Sequence, residues 1–233
     1  SCEKNNVKIN YNSFASKTDV LSEKPDIVII ATGGIPNNQI LEEGSDLVFS
    51  SWDIISGNIN IENEVILYDD NGYFSGLQAA QIISEKASSL EIISPERFFS
   101  PEIGGMNFVP YGKHFFEKNV KISINKRINK VYKKGNRLGV VVSSDYSDKT
   151  FEKETSQVIV EHGTLPLEEL YFKLKANSKN LGEVDYKSLI RGMNKKINKN
   201  DKGNYFLYRA GDAVSSRNIH AAIYDSLRIC KDI

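Results

Sequence analysis

The stretch that most restricts what this chain can fold into is Val65–Glu96, VILYDDNGYFSGLQAAQIISEKASSLEIISPE. An apolar run leads into a glycine-bearing turn, a helical segment rich in small residues, and a second apolar run that ends near an acid. Within the helical segment Tyr73, Leu77, Ala80, Ile83 and Ala87 recur at helical intervals and define one buried face. Strand, turn, helix and strand in this order predict a βαβ unit of the dinucleotide-binding kind, with its phosphate loop at Asp69–Gly76.

The flanking sequence extends that unit. Asn107–Lys118 predicts a second helix with Phe108, Tyr111, Phe115 and Phe116 inside, and Val120–Ile124 a third strand. Arg127–Tyr132, Leu138–Ser143 and Thr150–Thr155 are separated by turn residues and predict an antiparallel meander. Val158–Val160 returns to a buried strand that stops at His162-Gly163-Thr164. Upstream, Val7–Tyr11 alternates like a strand, and Ser51-Trp52-Asp53 suits the start of a short helix. Ile27–Ile30 is apolar on both faces, as in a covered parallel sheet, and ends in Thr32-Gly33-Gly34. Downstream lie a helix near Leu167–Leu174, a polar stretch at Lys187–Lys202, and Tyr205–Ile233. This last segment reads as a strand, a Gly-Asp turn and a helix whose buried face is Ile219, Ile223, Leu227 and Cys230.

The fold class is therefore α/β: a Rossmann-like three-layer nucleotide-binding domain at residues 50–160, inserted in a second FAD/NAD(P)-type domain made of residues 1–49 and 161–233. Thirty basic side chains balance thirty acidic ones, so nothing predicts a nucleic-acid partner. No apolar run reaches the roughly 18 residues of a membrane span, and SCEKNNVKINYN lacks the apolar core of a signal peptide. A cytoplasmic location is the expectation. Cys2 and Cys230 stand near opposite ends and read as unpaired thiols. His114, His162 and His220 show no metal-ligand spacing. No residue is assigned as catalytic and none as a metal ligand.

Two candidate sites emerge. In the loop, Gly72 and Gly76 can take the second and third glycine roles of the dinucleotide fingerprint, and the first role falls to Asp70 or Asp69. Glu96 stands where a ribose-binding acid would. A carboxylate near the helix start repels a pyrophosphate, so NAD(P)H is disfavoured here without being excluded. Two readings stay open: a retuned nucleotide site, or a Rossmann half kept for structure, with an aspartate capping the helix in place of phosphate. The second candidate joins Thr32, Gly33 and Gly34 to Gly211 and Asp212. Asp212 is suited to a ribose or ribityl hydroxyl, and Arg217 to a phosphate.

Taken together, PDIVIIATGG, DDNGYFSG, VEHGTLPLEELY and YRAGDAVSSRNIHAAI, in this order, resemble the C-terminal half of the multidomain NADH:flavin oxidoreductases related to trimethylamine dehydrogenase and 2,4-dienoyl-CoA reductase. The resemblance implies that Thr32, Gly33, Gly34, Gly211 and Asp212 belong to an FAD- or ADP-binding domain, and that Asp70, Gly72 and Gly76 belong to an inserted NAD(P)H-type domain. It further implies an N-terminal barrel of the same polypeptide carrying FMN and an iron–sulfur cluster. Substrate chemistry would reside in that barrel. An electron-acceptor flavoprotein is an implied partner, and a homo-oligomeric parent is left open. The first βαβ of the FAD/ADP domain has no counterpart here, so the chain alone is expected to bind FAD poorly and to be inactive. The rival reading is a non-catalytic docking module whose nucleotide sites are vestigial.

Overall fold

The computed structural model describes residues 3–39, 41–193 and 196–231; Cys2 lies outside them. The chain divides into two compact units, Ser1–Ile35 with Leu165–Ile233, and Pro36–Thr164. The inserted unit thus begins earlier than residue 50, because Leu41 and Val48 are buried in its core beside Ile66 and Val158. The two connections carry short strands, β2 (Gly34–Pro36) and β11 (Thr164–Pro166), which pair with each other.

The inserted unit is built on a five-stranded parallel sheet in the order β3-β10-β4-β5-β6. Its strands are β3 (Phe49–Ser50), β4 (Glu64–Asp69), β5 (Ser89–Ile93), β6 (Lys121–Ser123) and β10 (Gln157–Glu161). The sheet explains why β4 reads as an unbroken apolar run, since both of its faces are covered. Val65 and Leu67 pack with Leu77, Ala80 and Ile83 of α3 (Phe74–Lys86). Ile66 and Tyr68 pack on the opposite side with Val131, Val140 and Val142. Those valines come from an antiparallel meander of β7 (Arg127–Lys134), β8 (Arg137–Ser144) and β9 (Ser147–Thr155). Helices, parallel sheet and meander are the three layers the sequence predicts.

Two further helices complete this unit. In α2 (Ser51–Ile55) the cap is Ser50, whose hydroxyl and backbone N–H are both bound to Asp53 in a capping box. In α4 (Gly105–Glu117) Phe115 is buried, with Phe108 and Tyr111 packed beside it. Phe116 does not join them and is 86% exposed. Consecutive helical residues point about 100° apart, so a helix that seats Phe115 turns Phe116 outward.

The other unit centres on two parallel strands, β1 (Ile27–Ile30) and β12 (Phe206–Arg209). Val28, Ile30 and Leu207 pack on Tyr171 and Leu174 of α5 (Glu169–Lys175). The outer edge of β12 is covered by the segment 177–180: Ser178 bridges Tyr205 through the backbone, and the Asn180 side chain takes the next position. Asn180, 1% exposed, donates from Nδ2 to the Leu207 carbonyl at 2.8 Å and accepts the Leu207 N–H on Oδ1 at 2.9 Å. The short helices α1 (Lys17–Ser22) and α6 (Tyr186–Ile190) start at Ser16 and Asp185 caps. Val7–Tyr11 forms no strand and is exposed, because an alternating run without a neighbour to pair with gains no ladder.

The last helix, α7 (Ile219–Cys230), also departs from expectation. Ile219, Ile223 and Leu227 are 71%, 55% and 62% exposed, and Cys230 is an exposed free thiol. Ile229 is the buried residue, packed with Tyr208 and Ala210. A sheet two strands wide offers room for one helical ridge and leaves the apolar stripe of α7 uncovered. Among the described residues no helix is long and apolar enough to cross a membrane.

Candidate functional site

In the two-strand unit, β1 and β12 run parallel and end together at Ile30 and Arg209. A groove of about 390 Å³ opens just beyond, lined by Ala31, Gly33, Gly211, Asp212, Arg217 and Asn218, among others. Crevices outside the carboxyl ends of parallel strands are where open α/β sheets bind ligands. The two glycine turns that the sequence pairs across some 180 residues are therefore brought to one place. Gly33 has a φ of +73°, with open space where a Cβ would stand. The N-terminus of α7, capped by the Asn218 side chain on the Ala221 N–H at 2.9 Å, borders the same groove.

The polar residues of this groove are partly committed. Asp212 accepts the Arg217 N–H at 3.2 Å, which ties the turn to the loop before α7. The Arg217 guanidinium is ion-paired with Asp225 and reaches the Gly211 carbonyl at 3.4 Å, and Asp225 accepts the Gly211 N–H at 3.1 Å. Arg217 therefore lines the groove but is held by an acid of α7. Thr32 turns its hydroxyl to the Leu167 carbonyl at 2.6 Å, and Gly34 has passed into β2. Asp225 was not apparent from sequence; an acid eight residues after an arginine on an amphipathic helix carries no distinctive spacing.

The inserted unit has its switch point between β4 and β10, because β5 and β6 follow β4 on one side while β10 and β3 lie on the other. Asp69 ends β4 there, opposite Glu161 at the end of β10, and Asp70 and His162 follow them. Asp69 is 0% exposed and its Oδ1 accepts the N–H groups of Asn71 and Gly72 at 3.0 and 2.9 Å. Its Oδ2 is buried with no hydrogen-bond partner among the described residues. Burial above all, with the nearby Glu161 and Asp70 charges adding to it against two backbone N–H bonds, pushes the Asp69 carboxyl up to about 7. Glu161 accepts the Asn71 amide and the Gly163 N–H, each at 2.9 Å, and the Ser51 hydroxyl as well. Asp70 is bonded to Nδ1 of His162. Burial and the charge of Asp70 also push the Tyr68 hydroxyl up to about 12.

The loop glycines have local reasons to be glycine. Gly72 has a φ of +69°, and a Cβ there would stand 2.6 Å from the Pro101 ring. At Gly76 a Cβ would stand 2.1 Å from Oδ2 of Asp69. Between the end of β4 and the first turn of α3, where the third fingerprint glycine lets helix pack on strand, a side-chain carboxylate is seated. Glu96 lies beyond the end of β5 and is exposed, and no ion pair joins it to Arg97 among the described residues. Among the described residues no cluster of His, Cys, Asp or Glu is arranged to hold a metal ion.

No family model matches the chain. Over its whole length it is 44% identical to a probable N-methylproline demethylase of Rhizobium meliloti, of which it covers 34%. An N,N-dimethylglycine/sarcosine dehydrogenase of Chromohalobacter salexigens is 34% identical over 97% of the chain, again across 34% of the relative. The chain thus spans about a third of the length of the curated relatives it matches. Among solved structures, 2-naphthoyl-CoA reductase superposes on all of the chain and 30% of its own length, with a TM-score of 0.75 at 21% identity. Thioredoxin reductase of T. acidophilum covers 87% of the chain and 62% of its own, with a TM-score of 0.58 at 19% identity. The resemblance read from the motifs holds: the chain matches one region of larger oxidoreductases, with an α/β fold shared with the disulfide reductases.

Proposed function

We propose that this chain is the nucleotide-fold region of a flavin-dependent oxidoreductase acting on N-methylated amino acids or related amines. The observation that carries the reading is the groove at the ends of β1 and β12, where Gly33, Gly211, Asp212 and the start of α7 converge. The fit to an adenine dinucleotide is good in three respects: backbone can approach closely at Gly33, Asp212 offers a carboxylate for ribose-type hydroxyls, and a helix N-terminus faces the crevice. It is poorer at Arg217, which Asp225 already holds. FAD or ADP is the proposed occupant, and a flavin so held would supply the redox chemistry. This chain's residues would bind and orient it. Hydride and proton transfer from the substrate belong to the part of the longer relatives that the chain does not match, which would be the barrel with its FMN and iron–sulfur cluster. An electron-acceptor flavoprotein would complete the path.

The inserted unit fits the docking reading better than an NAD(P)H site. Asn71, Gly72 and Gly163 give their N–H groups to Asp69 and Glu161. The domain assignment follows: residues 1–35 and 165–233 as the FAD/ADP-type unit, and residues 36–164 as a NAD(P)-type fold used for assembly. To test this, the matching third of the Rhizobium meliloti relative is replaced by this chain, and the nucleotide released on denaturation is identified by chromatography. The chimera is expected to retain an adenine dinucleotide or ADP, and Asp212→Ala to lower its content by about tenfold, a loss of about 1.4 kcal/mol in binding. A folded chimera with no nucleotide, or full content in the Asp212→Ala chimera, would overturn the reading.

A further inference from the structure

We infer that the Asp69 carboxyl group occupies the phosphate position of the inserted unit and closes it to nicotinamide dinucleotides. The inference rests on the dinucleotide-type fold of that unit and adds a residue-level reason for its selectivity. A loop between a parallel strand and a helix binds phosphate through backbone N–H groups at the helix start, aided by the helix dipole. In this loop those donors are Asn71 and Gly72, and both are spent on Oδ1 of Asp69.

A second observation concerns the helix itself. The N-cap of α3, Tyr73, makes no side-chain capping bond, and no acidic residue stands in the first turn. Asp69 lies against that turn from the strand side. Its Oδ2 has no hydrogen-bond partner among the described residues, is fully buried, and comes so close to Gly76 that a Cβ there would be 2.1 Å away. A buried oxygen aimed at the start of the helix stands where a ligand phosphate oxygen stands in a working site, at the positive end of the dipole. Across the switch point, Glu161 and the Asp70–His162 pair take up the neighbouring donors. An incoming pyrophosphate would meet three carboxylates and find the loop amides already bonded.

The site is therefore masked rather than lost, because the loop and helix keep the geometry that the carboxylate exploits. Shortening the side chain to Asp69→Ser removes the charge and frees the space before Gly76. In fluorescence titrations of this chain with NADH, the wild type is expected to show no saturation to about 1 mM, and Asp69→Ser to bind at least about tenfold more tightly. Inorganic pyrophosphate should displace the NADH. Asp69→Asn fills the same volume and should stay closed. Trp52 fluorescence and far-UV circular dichroism report whether each variant is folded. Saturable NADH binding by the wild type, or a folded Asp69→Ser variant that binds no better, would overturn the inference. Should Asp69→Ser fail to fold, the wild type decides alone: its Asn71 and Gly72 amide resonances should not move when pyrophosphate is added, and a saturable shift at either refutes the masking.

Discussion

A buried carboxylate that titrates near neutrality leaves a mark on stability that can be worked out in advance. The Asp69 carboxyl is raised from 3.8 to about 7 in the fold, with burial the largest cause. When the folded value of an acid lies above its unfolded value, the folded state binds more protons between the two, and stability falls as pH rises through that window. The window here runs from about pH 4 to about pH 7, with no further loss above it. A shift of about three units corresponds to about 4 kcal/mol, a large share of the roughly 5–15 kcal/mol that holds a domain folded. The groups facing Asp69 are Asp70 beside it, itself bonded to His162, Glu161 from β10, and the amides of Asn71 and Gly72. Asp69→Asn keeps the acceptor for both amides and cannot ionise. Urea unfolding followed by Trp52, the sole tryptophan and a residue of the inserted unit, should give wild-type and variant curves that diverge with pH. The variant should gain on the wild type by about 4 kcal/mol between pH 4 and pH 7, and the gap should then stay constant. A difference that does not change over that range would refute the assignment of a buried, raised carboxyl.

Gly76→Ala places a methyl against Oδ2 of Asp69 and should destabilise the inserted unit by about 2–3 kcal/mol by overpacking; in a double-mutant cycle by urea unfolding, Asp69→Ser should relieve most of that loss. Asn180→Leu removes both bonds to Leu207 and should cost about 2–4 kcal/mol, with faster hydrogen exchange at the Leu207 amide as the local readout. Leu67→Ala, at a fully buried position in the helix-side core, should cost about 2–5 kcal/mol in thermal or urea unfolding, whereas Leu227→Lys on the exposed stripe of α7 should change stability by no more than about 0.5 kcal/mol.

The parts of this fold that were legible are those where one local rule decided the outcome. A run with both faces apolar, VILY, had to lie between two layers, and the four-three-three-four spacing of α3 had to face one of them. The hairpin turns set the meander. Where the reading failed, the deciding partner lay elsewhere in the chain or outside it. The periodicity of α7 is as good as that of α3, yet periodicity says which residues share a face and not whether anything covers it. Phe116 was placed inside by its chemistry although its neighbour Phe115 had already taken that direction. Of the candidate sites, the two glycine turns were brought together as expected, since each ends a strand of one parallel pair. The partners that change their meaning were hidden. Asp225 pairs with Arg217 across a turn that carries no distinctive spacing, and Glu161, distant in sequence, adds its charge beside Asp69. Glu96 stands at the expected distance along the chain, but β5 ends at Ile93, before reaching it.

Asn180 has a consequence beyond the bonds it makes. By answering both the N–H and the carbonyl of Leu207 it prolongs the backbone bridge that Ser178 makes to Tyr205, and together they seal the sheet of its unit at that edge. β1 has β12 on one side, and its other side meets no strand among the described residues. The sheet is therefore directional: it can be extended past β1 and not past β12. Any segment that adds to it, whether from a longer polypeptide or from a second copy, must enter on the side of Ile27–Ile30. An unsealed apolar edge is also where unwanted pairing starts. A short segment ending in one buried amide thus sets which way this unit can grow.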